Sequence, residues 1–405
     1  MLDNGKAEGV RKIKRFEKYC LKDIATVSQG FTFSRLYQGK KNLKWNYFKV
    51  VDIGLNPNSK YLTNAINTIS DITMEEIGAL PFPKGSIVFP RVGAALFNNN
   101  KKILAQDGVV DDNVLVLTVT DTSKCWHEFL YYYLQGIPLA KWCNSGLVPV
   151  INTKTVLSQM VFLPPLSEQQ KIAAILSTQD KVIDLKENLL VQKQQQKKYL
   201  MQQLLTGKKR LPGFCEKWTR KQLGELFENR VEINRSDLGL LAITSTRGIL
   251  PRDCLDLKDN SSEDKSKYLR ICPGDIGYNT MRMWQGVSAY SEYEGIVSPA
   301  YTILAPMEGV YSRYFAYLFK TQSVIFSFYR FSQGLVDDTR NLKYENFKKI
   351  SVSIPSKVAE QRAIVQILST ADHEIDLLQK SIEAEKQKKK ALMQLLLTGK
   401  VSVRI

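Results

Sequence analysis

Few residues of this chain stand at spacings that could do covalent chemistry. An adenine-methylating loop needs Asn or Asp, two prolines and an aromatic to hold a base turned out of the duplex. Asn56-Pro57-Asn58-Ser59 is the nearest string, and it lacks the second proline and the aromatic. Thr206-Gly207-Lys208 lacks the loop glycine and the following hydroxyl of a phosphate-cradling G-x-x-x-x-G-K-[ST], and it reads as a helix stop. Asp237 with Asp256-Leu257-Lys258 is loosely spaced for a metal-dependent nuclease, but such triplets are common in a Lys-rich chain. His127 and His373 have no Cys or Ser nucleophile arranged about them, and His373 reads as solvated. The six cysteines, at 20, 125, 143, 215, 254 and 272, form no Cys-x-x-Cys pair. That argues against zinc and for free, mostly buried thiols.

Binding chemistry is better represented. The 405 residues carry 57 Lys and Arg against 40 Asp and Glu, a net charge of +17, which suits a polyanion partner. Base reading needs Arg, Lys, Asn, Gln, Ser or Thr aimed at base edges, with other basic groups on phosphates. In the first half the candidates are Lys40, Lys41, Arg91, Asn99, Lys101 and Lys102. In the second they are Arg235, Thr246, Arg247, Arg252, Arg282, Gln285, Arg340 and Asn341. The aromatics Tyr278, Trp284, Trp142 and Phe97 read as core rather than as stacking platforms. A hydrophobic share of 44% supplies material for packed cores, no apolar run approaches the ~18 residues of a membrane span, and no secretory signal is visible. The expected location is the cytoplasm.

The elements that must position these residues are set by an internal repeat. Residues 168–208 align with 360–400 at a constant offset of 192 without a gap, and 22 of the 41 pairs are identical. Neither copy holds a Gly or Pro before Gly207 or Gly399, so each predicts a long helix ending at a left-handed glycine. Ser167 with Gln170 predicts a capping box at the first start, and Pro355-Ser356 the second start. From Ser167 to Leu205 the helix would be roughly 58 Å long at about 1.5 Å per residue. Ile172, Leu176, Ile183, Leu190, Leu200 and Leu204 line one face of the first copy. Ile364, Leu368, Ile375, Leu378, Ile382, Leu392 and Leu396 line the second. Such a seam wants another helix against it, and the other copy is the natural partner.

The repeat extends upstream more faintly: Gly85–Phe89 with Gly274–Tyr278, Gly108-Val109-Val110 with Gly295-Ile296-Val297, Tyr133-Leu134 with Tyr317-Leu318, and Gly146-Leu147-Val148 with Gly334-Leu335-Val336. Val114–Val119 and Lys349–Ile354 predict strands, and His127–Leu134 and Tyr311–Phe319 short helices. The expected fold is α+β: two tandem strand-rich domains with short helices, separated by two long antiparallel coiled-coil helices in a pseudo-twofold arrangement. The expected boundaries are an extension at 1–15, a first domain at 16–163, a spacer helix at 164–208, a second domain at 209–355 and a second spacer helix at 356–405.

"PLSEQQKIAAILSTQDKVID…LMQQLLTGKKRL" and "AEQRAIVQILSTADHEID…LMQLLLTGK" resemble the two helical regions of the specificity subunit of type I restriction-modification enzymes. Leu211-Pro212-Gly213-Phe214, Trp218 and Leu223-Gly224-Glu225-Leu226 resemble the entry to a target-recognition domain of that family, and Leu21-Lys22-Asp23-Ile24 the matching entry to the first domain. The Leu-Pro-Gly-Phe element is absent before that first domain. The resemblance implies a non-catalytic subunit whose domains each read one half of a bipartite site in double-stranded DNA. It implies that the helices set the spacer and dock two modification (methyltransferase) subunits, with restriction (translocase-nuclease) subunits joining them. It implies no cofactor of its own, with S-adenosylmethionine, ATP and Mg on the partner subunits. The other readings of the residues are a coiled-coil adaptor without DNA binding and a self-contained metal-dependent nuclease.

Overall fold

The computed structural model describes residues 16–55, 59–144, 146, 148–244, 248–254 and 264–403. The chain divides into two compact units, Met1–Asn188 with Lys380–Ile405, and Leu189–Gln379. The division falls inside both long helices, so each unit holds the beginning of one helix and the end of the other.

In the first unit the strand Glu17–Cys20 pairs antiparallel with Met160–Leu163, which leads directly into the long helix. The turn Leu21–Asp23 then turns the chain into a five-stranded sheet. Its order is Ala25–Gln29, Val114–Val119, Ile87–Pro90, Lys102–Leu104 and Tyr61–Leu62. Side chains alternate across it, as the two-residue period of a strand requires. Ile87, Phe89, Leu115 and Leu117 join a core with Phe129, Ile172, Leu176 and Leu396. Val88, Val114 and Val116 face the other way, onto Phe48, Ile53 and Leu62. A smaller sheet of Asn67–Ile69, Trp45–Phe48 and Val109–Val110 completes the distal lobe.

The second unit repeats the plan. Thr219–Gln222 pairs with Ser351–Ile354, and the turn Leu223–Glu225 leads into a four-stranded sheet of Phe227–Asn229, Tyr301–Pro306, Ile276–Asn279 and Ser288–Tyr290. Ile276, Tyr278 and Leu304 share a core with Leu204, Ile364 and Leu368, while Ala289 and Ile303 pack on Leu241, Ile243 and Ile271. Gly277 permits that second contact, because a Cβ there would lie 2.4 Å from Ile243 Cδ1. The two family-like entries therefore occupy the same place in both units: a short turn after an edge strand.

The long helices span Leu166–Leu204 and Val358–Leu396. The capping box at Ser167 does not form. Ser167 lies inside the first turn, and the Pro165 carbonyl accepts from the N–H groups of Glu168 (2.9 Å) and Gln169 (3.0 Å). Lys357, the repeat mate of Pro165, plays the same part for Glu360 and Gln361, so the second helix starts there rather than at Pro355-Ser356. Both helices stop as expected at a left-handed glycine, Gly207 and Gly399, each at φ 70. An aromatic ring covers each one, Trp218 in the second unit and Phe16 in the first.

The strands at Val114–Val119 and Ser351–Ile354 and the helices at His127–Gln135 and Ser312–Leu318 lie where the sequence pattern places them. The helix Gln322–Phe331 is an addition. Of the cysteines only Cys125 is buried; Cys215 and Cys254 are exposed. Among the described residues, no helix is long and apolar enough to cross a membrane.

Candidate nucleic-acid interface

In the second unit three segments converge: the turn Met283–Gln285, the helix Gln322–Phe331 and the loop 332–342. The loop is tied to the sheet by Leu342 N–H donating to the Thr280 carbonyl (2.9 Å), and closed at its base by reciprocal backbone bonds between Gln333 and Asn341 (2.8 and 2.7 Å). Trp284 meets Tyr329 edge-on at 6.2 Å, and the Arg340 guanidinium lies 4.0 Å from the Tyr329 ring centre. Arg340 also donates to the Tyr329 hydroxyl (3.2 Å) and to Asp337 (3.4 Å). The fold thus brings Arg282, Gln285, Arg340 and Asn341 together around a half-exposed aromatic pair. Stacked, partly solvated guanidinium and aromatic groups are suited to bases and phosphates alike.

In the first unit a turn and a later segment also meet. Ile151 N–H donates to the Arg91 carbonyl (2.9 Å) and Gly93 N–H to the Pro149 carbonyl (3.0 Å), which lays residues 149–151 beside the turn Ala94–Asn98. Arg91 is half-buried here. Phe97 is exposed at the turn's end rather than in a core, whereas Trp142 and Tyr278 are buried as expected.

Other candidates lie elsewhere. Lys101 and Lys102 are each only 2% exposed and are not surface contacts. Lys101 Nζ donates to the Ile137 carbonyl (2.9 Å) and to Asn99 Oδ1 (2.7 Å), and Lys102 Nζ donates to the Ser59 carbonyl. Burial lowers both ammonium groups, Lys101 to about 7 and Lys102 to about 8, the latter opposed by Asp184. Asn99 is likewise occupied, since its Oδ1 also accepts from Leu139 N–H (2.9 Å). Lys40 and Lys41 are exposed on the distal lobe, with Lys40 over the Tyr37 ring. Arg235 forms a two-pronged pair with Asp237 (2.9 and 2.8 Å), which also occupies a carboxylate of the notional nuclease set. Arg252 is half-buried on the turn Arg252–Cys254. Thr246, Arg247, Asp256 and Lys258 lie outside the described residues. Among the described residues no group of three or more His, Cys, Asp and Glu could hold a metal. His127 is half-buried against Gly85, with burial lowering its pKa, and His373 is exposed.

A model of the type I restriction-modification DNA specificity domain matches residues 13–193 and 264–386. The chain belongs to that family. Its fold is that of solved specificity subunits. The type I restriction-modification S subunit from M. genitalium matches with a TM-score of 0.58 at 15% identity, over 96% of this chain and 97% of that one. The HsdS subunit from Thermoanaerobacter tengcongensis matches with a TM-score of 0.50 at 14% identity, over 97% and 99%. A chain from a structure of type I system assembly and conformational transition matches with a TM-score of 0.55 at 13% identity, over 95% and 98%.

In this specificity subunit the helix pair of each unit is antiparallel, and its seam is apolar at the ends and polar between. Ile172, Leu176, Ile183, Ile382 and Leu396 are buried in the first unit, with Leu392 half-buried. Leu204, Ile364 and Leu368 are buried in the second, with Leu190, Leu200, Ile375 and Leu378 half-buried. In the first unit Glu385 accepts from Lys186 (2.8 Å) and Gln179 (2.7 Å) across the seam, and these donors, Lys186 foremost, hold its pKa down to about 2. In the second, Lys193 pairs with Glu374 (2.7 Å).

One contact recurs in both units and joins three elements. Tyr132 of the short helix donates to Asp180 (2.6 Å), which pairs with Lys389 of the other long helix (2.5 Å). Tyr317 donates to Asp372 (2.7 Å), which pairs with Lys197. Asp180 and Asp372, and Lys197 and Lys389, are repeat mates at offset 192. The contact therefore aligns Tyr317 with Tyr132, one residue from the Tyr133 pairing that sequence comparison gives. Burial first, and the facing aspartate second, raise both tyrosine pKa values far above the ordinary phenol range.

Proposed function

We propose that each unit reads one half of a bipartite site in double-stranded DNA through its turn-and-loop platform. The helix pair sets the spacer and docks two modification subunits, and restriction subunits join that core. The observation that carries this reading is the Tyr–Asp–Lys contact that fastens each unit to both long helices in the same way. The net charge of +17 supplies the phosphate attraction. The subunit does no chemistry of its own: methyl transfer with S-adenosylmethionine, and cleavage with ATP and Mg, belong to the partner subunits. Its place of work is the cytoplasm, where the DNA is.

Exchanging residues 16–163 for another such domain, in a complex with methyltransferase partners, changes one half-site only, as read by sequencing the methylated genome of the host. A change in both halves, or in neither, overturns the reading. DNA affinity of the complex falls steeply as salt rises. A complex without DNA affinity at any salt would leave only an adaptor.

A further inference from the structure

The loop 332–342 displays apolar side chains that the fold does not use. Leu335 is 100% exposed and Val336 59% exposed, at the tip of a loop whose base is fixed by the Gln333–Asn341 bonds. Gly334 makes this display possible. Its φ is +128, and a Cβ there would lie 2.7 Å from the Thr339 carbonyl oxygen and 2.8 Å from the Arg340 backbone. The chain must pass close to itself at Gly334, which throws the next side chain outward. The first unit carries the same Gly-Leu-Val string at 146–148 in the equivalent loop, with Val148 exposed. The two domains share few identical residues outside their helices. Retention of an apolar tip that packs on nothing in its own unit therefore needs a reason outside the fold.

We infer that Leu335 is a wedge that enters the base stack of duplex DNA and unstacks one step of the half-site read by the second unit. Charge complementarity selects DNA as the occupant. Arg282 and Arg330 are exposed on the turn and helix that converge with this loop, and Arg340 lies in the loop itself, stacked on Tyr329 and 3.4 Å from Asp337. An exposed apolar side chain on a loop whose neighbouring segments carry cations is suited to prying base steps apart while the backbone is held. Opening the duplex at this point eases extraction of a neighbouring base for chemistry on a partner subunit. The inference rests on the DNA-reading function proposed above, and adds how the reading deforms its target.

The test uses the complete specificity subunit assembled with its methyltransferase partners, and duplexes carrying single 2-aminopurine substitutions across each half-site. With the wild-type chain, fluorescence rises at one step of the second half-site. With Leu335→Ala that rise is lost at saturating protein and affinity falls about tenfold, or about 1.4 kcal/mol. The signal from the first half-site is unchanged, and Leu335→Phe restores the lost one. Leu335 packs on nothing, so the variants fold. Full signal and affinity in Leu335→Ala overturn the wedge while leaving DNA reading intact. Weakened capture of the methyltransferase subunit with unaltered DNA signals makes the tip a protein contact, and also overturns it. A wild-type complex that binds no split-site DNA overturns this inference together with the reading beneath it.

Discussion

The two units close the start of their long helices around the same buried pair, Glu168-Gln169 in one and Glu360-Gln361 in the other, and they settle the carboxylate differently. In the second unit Arg210 grips Glu360 with two parallel bonds of 2.7 and 2.8 Å. The repeat mate of Arg210 in the first unit is Ser402. There Glu168 accepts one backbone bond from Val403 (3.1 Å), and its second oxygen has no partner among the described residues. The distal lobes differ in the opposite sense. Lys60 of the first unit reaches the long helix at Ser177 (3.0 Å) and lies 3.4 Å from Glu128. Ser369, the mate of Ser177, turns its hydroxyl back to the Gln366 carbonyl. A duplicated backbone thus constrains where a charge is buried, but not how that charge is satisfied.

The comparison breaks most sharply at the guanidinium. Arg210→Ala strands the buried Glu360 carboxylate, and it is expected to lower the stability of the second unit in denaturant unfolding more than Glu168→Gln lowers that of the first. Glu168→Gln in the first unit costs under about 1 kcal/mol, because only a neutral amide replaces a half-satisfied carboxylate. Equal losses would mean that the two sites are satisfied alike after all. The shared contact should weaken both units: Asp180→Asn costs about 1–3 kcal/mol, as expected for charge-assisted bonds, and Asp372→Asn, whose carboxylate is more exposed, costs less. A cost in one unit alone, measured by hydrogen exchange in each unit, would show that only one contact is tight.

The last comparison is a pH dependence. Lys101, lowered to about 7 by burial, holds fewer protons in the folded state than in the unfolded chain between about pH 7 and its ordinary pKa near 10.4. Stability of the first unit therefore rises with pH across that window. Lys101→Met flattens the rise between pH 7 and 9, and an unchanged slope in thermal melts would assign it to other groups. Lys320, lowered to about 8 by burial and then by Lys197, repeats the effect in the second unit over a narrower window.

The helices were legible because a gap-free repeat without Gly or Pro admits little else, and the glycine stops followed from the same pattern. Their starts were misread because the first free N–H groups go to the carbonyls of Pro165 and Lys357 instead of to the hydroxyl of Ser167. The helix Gln322–Phe331 was missed because Val324, Ile325, Phe326 and Phe328 also suit a strand; the spacing of buried Val324 and Phe328 was the available signal. Lys101 and Lys102 looked like contact residues because charge predicts exposure. The apolar Ile103-Leu104 that follows them, in the strand Lys102–Leu104, was the hint of burial. Arg282, Gln285, Arg340 and Asn341 were chosen by residue type alone, and only the backbone ties between their segments show that they share one surface.

Each main sheet presents one row of side chains to the helix-facing core and the alternate row to the distal lobe, so the two cores meet across a backbone layer without interpenetrating. Substitutions that reshape the distal side are screened from the packing that anchors the unit. The segments that carry Met283, Val324, Phe328 and Leu342 belong to the helix-facing core instead, so substitutions there are felt directly by the packing on the long helices.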